Sequence, residues 1–417
     1  MKKKVFYGWY IVALAFVANF MSTGASFYIF NAFMEPLCSA RGWDRTGINL
    51  GLAMGALCGM FSQLPFGALV MKVGPRVMML IGPLISGTIF ILLGRVESLW
   101  QFFLFYILLY VSNASFGGIV AASAVNNWFI LKKGKALGIS QAGISTSGAI
   151  LPYAAMLVLL KSDLQTAFLV IGVMIMSIGP FCWLVIRNWP EDLGLVPDGL
   201  ERARARIVPP GPGVDGPGRR RVVSSRNPWP FARLVRTPAF WKIGLAFALV
   251  LIGTVGVMSQ LKPRFSDLGF SDAAAMGLMA ATAALGAAGK FIWGTLCDRF
   301  DSIKVVAALM FATAVGLVLN LLEPTTLTLA LFVIIYGFAM GGVMSTYPII
   351  VAQLFGRESF AAVFRFVALF QMLQMLGYII AGLSRDHFGS YDGAYIVFIV
   401  LSILATLLTL TIKRPQA

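Results

Sequence analysis

Residues 280–299 read AATAALGAAGKFIWGTLCDR, and this stretch decides how the whole chain is interpreted. Small, mostly apolar residues lead to a single Lys290, and the charged exit follows at Asp298 and Arg299. If the stretch spans a membrane, Lys290 lies about eight residues, or roughly 12 Å, inside the nearest charged end. An ammonium at that depth costs about 2.5 kcal/mol or more, so such groups usually face a polar cavity, a partner or a substrate.

The composition indicates a membrane protein with many spans. Hydrophobic residues make up 59% and charged residues 12% of the 417 residues, and the mean hydropathy is +0.84. That is more apolar surface than one soluble core buries. A span needs about 20 largely apolar residues, and a helix satisfies its own backbone in lipid. Twelve spans are predicted to begin near Tyr7, Gly47, Val77, Gln101, Ala136, Leu164, Ala239, Ser271, Lys304, Thr326, Phe360 and Gly393.

The net charge of +16 comes from basic residues whose positions indicate the membrane topology, so we expect no nucleic-acid partner. Of the 33 Lys and Arg residues, seven lie beyond the far ends of the spans and two lie within spans, which leaves 24 on the side of the N-terminus. The positive-inside rule therefore predicts that both termini are cytoplasmic, in a plasma membrane of the bacterial inner-membrane type. The same charges attract anionic membrane lipid.

Nothing in the sequence predicts an enzyme. The four cysteines show no pairable or metal-like spacing, and His387 is the only histidine. There is no phosphate-binding loop and no nucleophile placed with a base. We expect no metal and no cofactor.

The layout is six spans, a linker and six spans. Residues 188–238 are rich in Pro, Gly and Arg, which predicts a flexible cytoplasmic linker between an N-terminal bundle (1–187) and a C-terminal bundle (239–417). This layout resembles the major facilitator superfamily. The resemblance implies an all-α membrane protein of twelve transmembrane helices in two pseudo-symmetric six-helix bundles, which rock around a midplane site. We expect a functional monomer.

Two copies of one loop motif support that resemblance. They read GALVMKVGPR at 67–76, after span 2, and GTLCDR at 294–299, after span 8. Both are similar to the loop that steadies the cytoplasmic gate of the superfamily, although Met71 replaces the usual acid in the first copy. The predicted gating residues are Gly67, Lys72, Arg76, Gly294, Asp298 and Arg299.

Further stretches resemble the monocarboxylate transporters and the bacterial oxalate/formate antiporters. They are FYGWY at 6–10, NWF at 127–129, KKGKALGISQAGISTSG at 132–148 and DHFGSY at 386–391. Those families place an arginine at the position of Lys290, with the substrate carboxylate as its partner. A lysine keeps the charge but loses the planar bidentate fork. The alternative is a structural lysine that reaches toward the membrane surface along its own stem.

A second cation, Arg365, lies about five residues into span 11. The resemblance implies a second substrate cation in this span, nearer Val367, so Arg365 is predicted either to bind substrate or to serve a gate or a lipid-facing anchor. All seventeen Asp and Glu residues fall in loops or at span ends. Gly286 stands where the proton-coupled monocarboxylate transporters carry an Asp, so the coupling chemistry does not transfer from the family.

Uncharged polar residues of the spans complete the predicted substrate-binding set. Such side chains in helix bundles more often form hydrogen bonds between helices. They are Tyr28, Asn31, Asn113, Gln141, Ser145 and Tyr336.

The sequence thus predicts a secondary active transporter of small, monocarboxylate-like organic anions, working by alternating access with protons or a counter-anion. Three alternatives stay open. One is a carrier of dicarboxylates or aromatic acids, and another is a transporter-like anion receptor, which the short chain after span 12 disfavours. The third is a carrier of neutral or aromatic solutes, in which Lys290 is structural.

Overall fold

The structure is a computed structural model that describes residues 5–198, 229–323 and 325–415, and these residues form helices joined by short loops. Each predicted span corresponds to helical chain. The bounds are Gly8–Thr23 and Phe30–Arg41 (span 1), Arg45–Leu93 (spans 2 and 3), Leu99–Ala114 and Gly118–Trp128 (span 4), Lys133–Leu159 (span 5), Leu164–Val185 (span 6), Pro238–Asp267 (span 7), Asp272–Arg299 (span 8), Ser302–Leu321 (span 9), Thr326–Phe355 (span 10), Phe360–Val367 and Leu376–Phe388 (span 11), and Asp392–Leu410 (span 12).

Among the described residues, ten helical segments are long and apolar enough to cross a membrane. One of them, Gly47–Leu93, has 47 residues, or about 70 Å of helix, and therefore crosses twice. Its two spans meet at Gly74, whose φ of 81° ends the helical path. Span 8 is a further helix of 28 residues. Together these segments give the predicted twelve-helix membrane fold.

Three spans are locally irregular. Span 1 contains a π-helical turn at Gly24–Tyr28, span 11 contains a 3-10 segment at Ala368–Met375, and span 4 breaks between Ala114 and Gly118. Gly118 has a φ of 49°, which a residue with a side chain rarely adopts. A π turn inside an α-helix often marks a functional position. The sequence did not predict these interruptions of spans 1 and 11.

The chain forms two compact units. Unit 1 comprises Met1–Ala136, Ser140–Pro228 and Arg357–Arg365, and unit 2 comprises Leu137–Ile139, Trp229–Gly356 and Phe366–Ala417. The domain boundaries predicted from the sequence stay a prediction. Most of the predicted linker, residues 199–228, lies outside the described residues.

In unit 1, span 2 packs on span 4 and span 3 packs on span 6. The second contact is close, because a Cβ added to Gly87 would lie 2.4 Å from the carbonyl oxygen of Gly172. In unit 2, span 8 packs on span 10, span 9 on span 12, and span 7 on spans 11 and 12. The interior of unit 2 is rich in aromatic side chains, among them Phe265, Phe332 and Phe398.

Candidate substrate-binding site

Lys290 is buried on span 8. Its exposed fraction is 6%, whereas the two residues that follow, Phe291 and Ile292, are 38% and 41% exposed. Span 8 is capped by the preceding residue, Ser271, whose hydroxyl oxygen accepts a hydrogen bond from the backbone N–H of Ala274 (3.3 Å). The exposed fractions show that span 8 has an exposed apolar side, with Phe291 and Ile292, and a buried side, with Lys290.

Span 10 fixes one side of this helix by backbone contact. A Cβ added to Gly341 would lie 1.8 Å from the carbonyl oxygen of Gly286, and one added to Gly289 would lie 2.1 Å from that of Phe338. The indole N–H of Trp293 also donates to the Phe338 carbonyl (3.1 Å). Glycine is required because any side chain would separate the two backbones. We call the glycine contact of spans 8 and 10 the backbone seam.

A second element of unit 2 approaches at Lys290 itself. A Cβ added to Gly138 would lie 2.6 Å from the carbonyl oxygen of Lys290. The segment Leu137–Ile139, from the start of span 5, belongs to the same unit as span 8. Lys290 is thus positioned on a helix that close backbone contacts hold on two sides.

The backbone seam also gives a physical reason for Gly286. A Cβ at this position would lie 2.9 Å from the terminal methyl group of Met340 and 3.3 Å from the carbonyl oxygen of Gly337. An aspartate side chain here would have to displace Met340. The helix contact therefore accounts for a glycine at this position, where the resemblance to the proton-coupled monocarboxylate transporters implied an acid.

Most of the uncharged candidates lie in unit 1. Asn113 is 4% exposed, and its Oδ1 accepts a hydrogen bond from the Ser86 hydroxyl (2.6 Å). Gln141 is 8% exposed, Ser145 is half-buried, and the half-buried ring of Tyr28 packs against Gly148 of span 5. The side chain of Asn31 lies outside the described residues.

Tyr336 lies in unit 2, inside its aromatic interior. The side chain is fully buried, its ring stacks on Phe332 at 5.1 Å, and a Cβ added to Gly316 would lie 2.7 Å from the Tyr336 Cβ. The contact with Gly316 joins span 10 to span 9. Packing accounts for the ring, whereas the buried hydroxyl group has no hydrogen-bond partner among the described residues. The substrate role of Tyr336 stays a prediction.

Arg365 is half-buried and lies in unit 1 beside the first gating motif. A Cβ added to Gly67 would lie 2.5 Å from the Arg365 Cβ and 3.1 Å from its Cδ. Gly67 is the first residue of that motif, so the arginine stem passes over a position that must lack a side chain. This contact supports the gate alternative for Arg365, and the substrate alternative stays a prediction.

The two copies of the gating motif are held differently. In the first loop, the Arg76 guanidinium donates to the Trp183 carbonyl (3.2 and 3.1 Å) and lies 4.1 Å over the Trp183 ring, while Lys72 is exposed. The second copy has a buried Gly294, a half-buried Asp298 and an exposed Arg299. Two residues after this copy, Asp301 caps span 9, because its carboxylate accepts a hydrogen bond from the backbone N–H of Ile303 (3.0 Å).

Sequence reasoning missed a charge pair in unit 2 between a buried arginine and a half-exposed aspartate. Arg264, expected in an outer loop, is 8% exposed; it contacts Asp392 at 2.8 Å and donates to Asn320 Oδ1 (3.2 Å). Arg264 lies near the end of the span 7 helix, which continues to Asp267. Within the described residues, no group of three or more His, Cys, Asp or Glu side chains is arranged to hold a metal.

Comparisons with known proteins agree with this architecture. The chain is 24% identical to the oxalate:formate antiporter of Oxalobacter formigenes over 363 residues, which is 84% of this chain and 78% of that protein. It is 25% identical to the membrane sensor protein UhpC of Salmonella typhimurium over 228 residues, which is 54% of this chain and about half of that protein (49%).

Solved structures match the fold over nearly the whole chain. The Escherichia coli fucose:proton symporter FucP has a TM-score of 0.69 at 13% identity, covering 98% of this chain and all of that one (100%). The human organic anion transporter MFSD10 has a TM-score of 0.70 at 14% identity, covering 96% and 99%. At these identities the likeness concerns the fold alone. The sequence matches the family model of the Major Facilitator Superfamily over residues 12–370 and 264–417, and the chain belongs to that superfamily.

Proposed function

We propose that this transporter is a secondary carrier of small organic anions and that Lys290 binds the substrate carboxylate. The observation that carries the proposal is a lysine only 6% exposed on a membrane-spanning helix that glycine contacts hold on two sides. An ionisable group at such depth is expensive and is usually functional. The antiporter relative supports the same class, because oxalate and formate are both small carboxylates.

The chemistry follows from the ammonium group. It forms charge-assisted hydrogen bonds to a carboxylate, and its compact shape tolerates mono- and dicarboxylates better than a planar guanidinium would. Alternating access then exposes the site to either side of the membrane in turn. Coupling is to a counter-anion or to protons, with both termini in the bacterial cytoplasm. Arg365, Tyr28, Asn31, Asn113, Gln141, Ser145 and Tyr336 are the further candidate contacts.

Counterflow in proteoliposomes tests the proposal. Labelled oxalate, formate, lactate and an aromatic acid are each offered to wild-type protein, to Lys290→Gln and to Lys304→Gln, whose lysine is exposed at the start of span 9. We expect the first variant to lose organic-anion counterflow and the second to keep it. Full counterflow in Lys290→Gln contradicts the proposal.

A second candidate function is an anion sensor that binds without transport. The likeness to the membrane sensor protein favours it. The same vesicles distinguish the two functions, because a sensor binds labelled anion but does not exchange it across the membrane. Saturable binding without counterflow in the wild type would replace the carrier with the sensor.

A further inference from the structure

An apolar groove of about 380 Å³ lies on unit 1, between spans 2, 3 and 4. Its walls include Leu69 and Val73 of span 2, Ile81 and Ile85 of span 3, and Leu108 of span 4. These five side chains are 39–49% exposed. The groove therefore opens outward from three membrane-spanning helices, toward the surface that faces lipid.

The groove offers little to a polar ligand. Its hydroxyl-bearing residues are Ser112 and Ser115. Ser112 donates to the carbonyl oxygen of Leu109 (2.9 Å), and Ser115 donates to that of Ser112 (2.6 Å). Both donors are satisfied within their own chain segment, as serines in membrane helices commonly are. An apolar occupant is therefore favoured over water or a polar solute.

The groove has the length of one lipid leaflet. It extends along span 3 from Val77 to Ile89, which is twelve residues or roughly 18 Å of helix. Half of a bilayer's hydrocarbon core is about 15 Å thick. Gly82 lies between these ends and contributes depth, because a side chain there would project toward the Ser115 hydroxyl, 2.4 Å from an added Cβ.

One end of the groove carries positive charge. Lys72 is exposed and directly precedes Val73 of the wall, near the junction of spans 2 and 3. Arg76 is turned toward Trp183. This junction lies on the side that the distribution of Lys and Arg predicts to be cytoplasmic. The cytoplasmic leaflet contains anionic lipid, which basic residues near the surface attract.

We propose that this groove binds an acyl chain of an anionic phospholipid from that leaflet, with the headgroup phosphate beside Lys72. Apolar walls hold the chain, and the exposed ammonium selects the headgroup charge. The site is independent of Lys290 and of the proposed substrate. A lipid here bridges spans 2, 3 and 4, next to the first gating motif.

Photochemical labelling tests the site. The full chain is reconstituted with phosphatidylglycerol that carries a diazirine in its acyl chain, and labelled residues are mapped by mass spectrometry. We expect label at Ile81, Ile85 and Leu108 well above that at Val173, an equally exposed apolar residue of span 6 (52%). Equal labelling of the two surfaces would mean only general lipid contact, and would overturn the proposal.

Groove-filling variants make the test specific. Ile85→Trp and Leu108→Trp each fill the groove, and Val173→Trp adds the same ring to the control surface. We expect the first two to lose most groove labelling and the third to keep it, with all three remaining monodisperse. Unchanged groove labelling in both filled variants overturns the proposal. The proposal is also overturned if the acyl chain does not label the groove and the filled variants change their oligomeric state, because a second copy of the chain would then occupy the groove.

Headgroup selection is measured separately with Lys72→Gln. We expect wild-type protein to label several-fold more with the phosphatidylglycerol probe than with the matched phosphatidylcholine probe. In the variant we expect the ratio of phosphatidylglycerol to phosphatidylcholine labelling to fall about fivefold, while the groove is still labelled. A preference that Lys72→Gln leaves intact contradicts the role of this lysine.

Discussion

Spans 2 and 4 of unit 1 and spans 8 and 10 of unit 2 occupy matching places in the repeat, yet the helices meet in different ways. In unit 1, Cβ atoms added to Gly55 and Gly59 would meet the rings of Tyr106 and Tyr110 at 2.7–3.0 Å. We call this contact the ring seam. In the backbone seam of unit 2, the atoms met by Gly289 and Gly341 are carbonyl oxygens, at 2.1 and 1.8 Å.

The difference concerns how firmly a helix is held. A ring at a helix contact can rotate, whereas two backbones in contact cannot adjust without moving a whole helix. The backbone seam lies on the span that contains the buried Lys290. Lys290 lies four residues before Gly294, the first residue of the second motif copy. At the equivalent position, four residues before Gly67, is the neutral, half-buried Gln63. Of the two equivalent positions in the repeat, the one with a buried cation, Lys290, thus lies on the more firmly held span.

The largest effect is expected from Gly341→Ala, which breaks the backbone seam. The new methyl group would overlap the Gly286 carbonyl, and overpacking of this kind costs typically up to about 3 kcal/mol. We expect a lowered midpoint of thermal unfolding in detergent and weakened anion counterflow. Substitutions of side chains on span 8 should not restore either, because the contact is with backbone. Restoration by such a substitution would contradict a backbone contact.

An intermediate effect is expected from Gly286→Asp, which places an acid one turn before Lys290. The carboxylate would compete with the substrate for the ammonium, and we expect about tenfold weaker anion binding. Gly286→Asn has nearly the same size without the charge, so it separates electrostatics from the strain of displacing Met340. Equal affinity losses in the two variants would assign the effect to packing. Binding of labelled oxalate measures it.

A smaller effect is expected from Gly55→Ala in the ring seam. Its Cβ would lie 2.7 Å from Cδ1 of Tyr106 and 2.8 Å from Cδ2 of Tyr110, so both rings would have to shift. We expect a loss of about 1 kcal/mol. Adding Tyr110→Leu should recover part of the unfolding midpoint, in a double-mutant cycle. Strictly additive losses would show that the rings do not carry this contact.

The smallest effect, with the opposite sign, is expected from Gly277→Ala. This glycine is on span 8, and apart from its chain neighbours and the adjacent backbone of its own helix, no atom of the described residues lies within 4 Å of an added Cβ. Alanine is favoured over glycine inside a helix by about 0.8–1 kcal/mol in water. A small rise in the unfolding midpoint would show that the losses at Gly341 come from the contact and not from replacing glycine as such. A fall at Gly277 would contradict that.

Much of this fold follows from local sequence. The apolar segments and the motif pair at 67–76 and 294–299 are visible as patterns. The π turn of span 1 and the 3-10 segment of span 11 are not, because their composition is that of ordinary span residues.

The site was less predictable than the fold. Depth along a span identified Lys290 as unusual, and its burial agrees. Contacts between distant segments carried no local signal: Arg264 pairs with Asp392, 128 residues further along the chain, and the Arg365 stem lies over Gly67. Tyr336 has the residue type of a binding-site hydroxyl, but its surroundings in unit 2 are those of an aromatic interior.

Equilibrium binding of labelled oxalate to purified protein tests the central claim most directly, because it measures the carboxylate contact without transport or coupling. Lys290→Gln, Lys290→Arg and Lys304→Gln are compared with wild type, each with an unfolding midpoint as a check of folding. A hydrogen bond to a charged group contributes about 1.5–3 kcal/mol, so we predict at least about tenfold weaker binding in Lys290→Gln. Lys290→Arg and Lys304→Gln should stay close to wild type. Wild-type affinity in a folded Lys290→Gln protein would contradict the role of Lys290 as the carboxylate anchor.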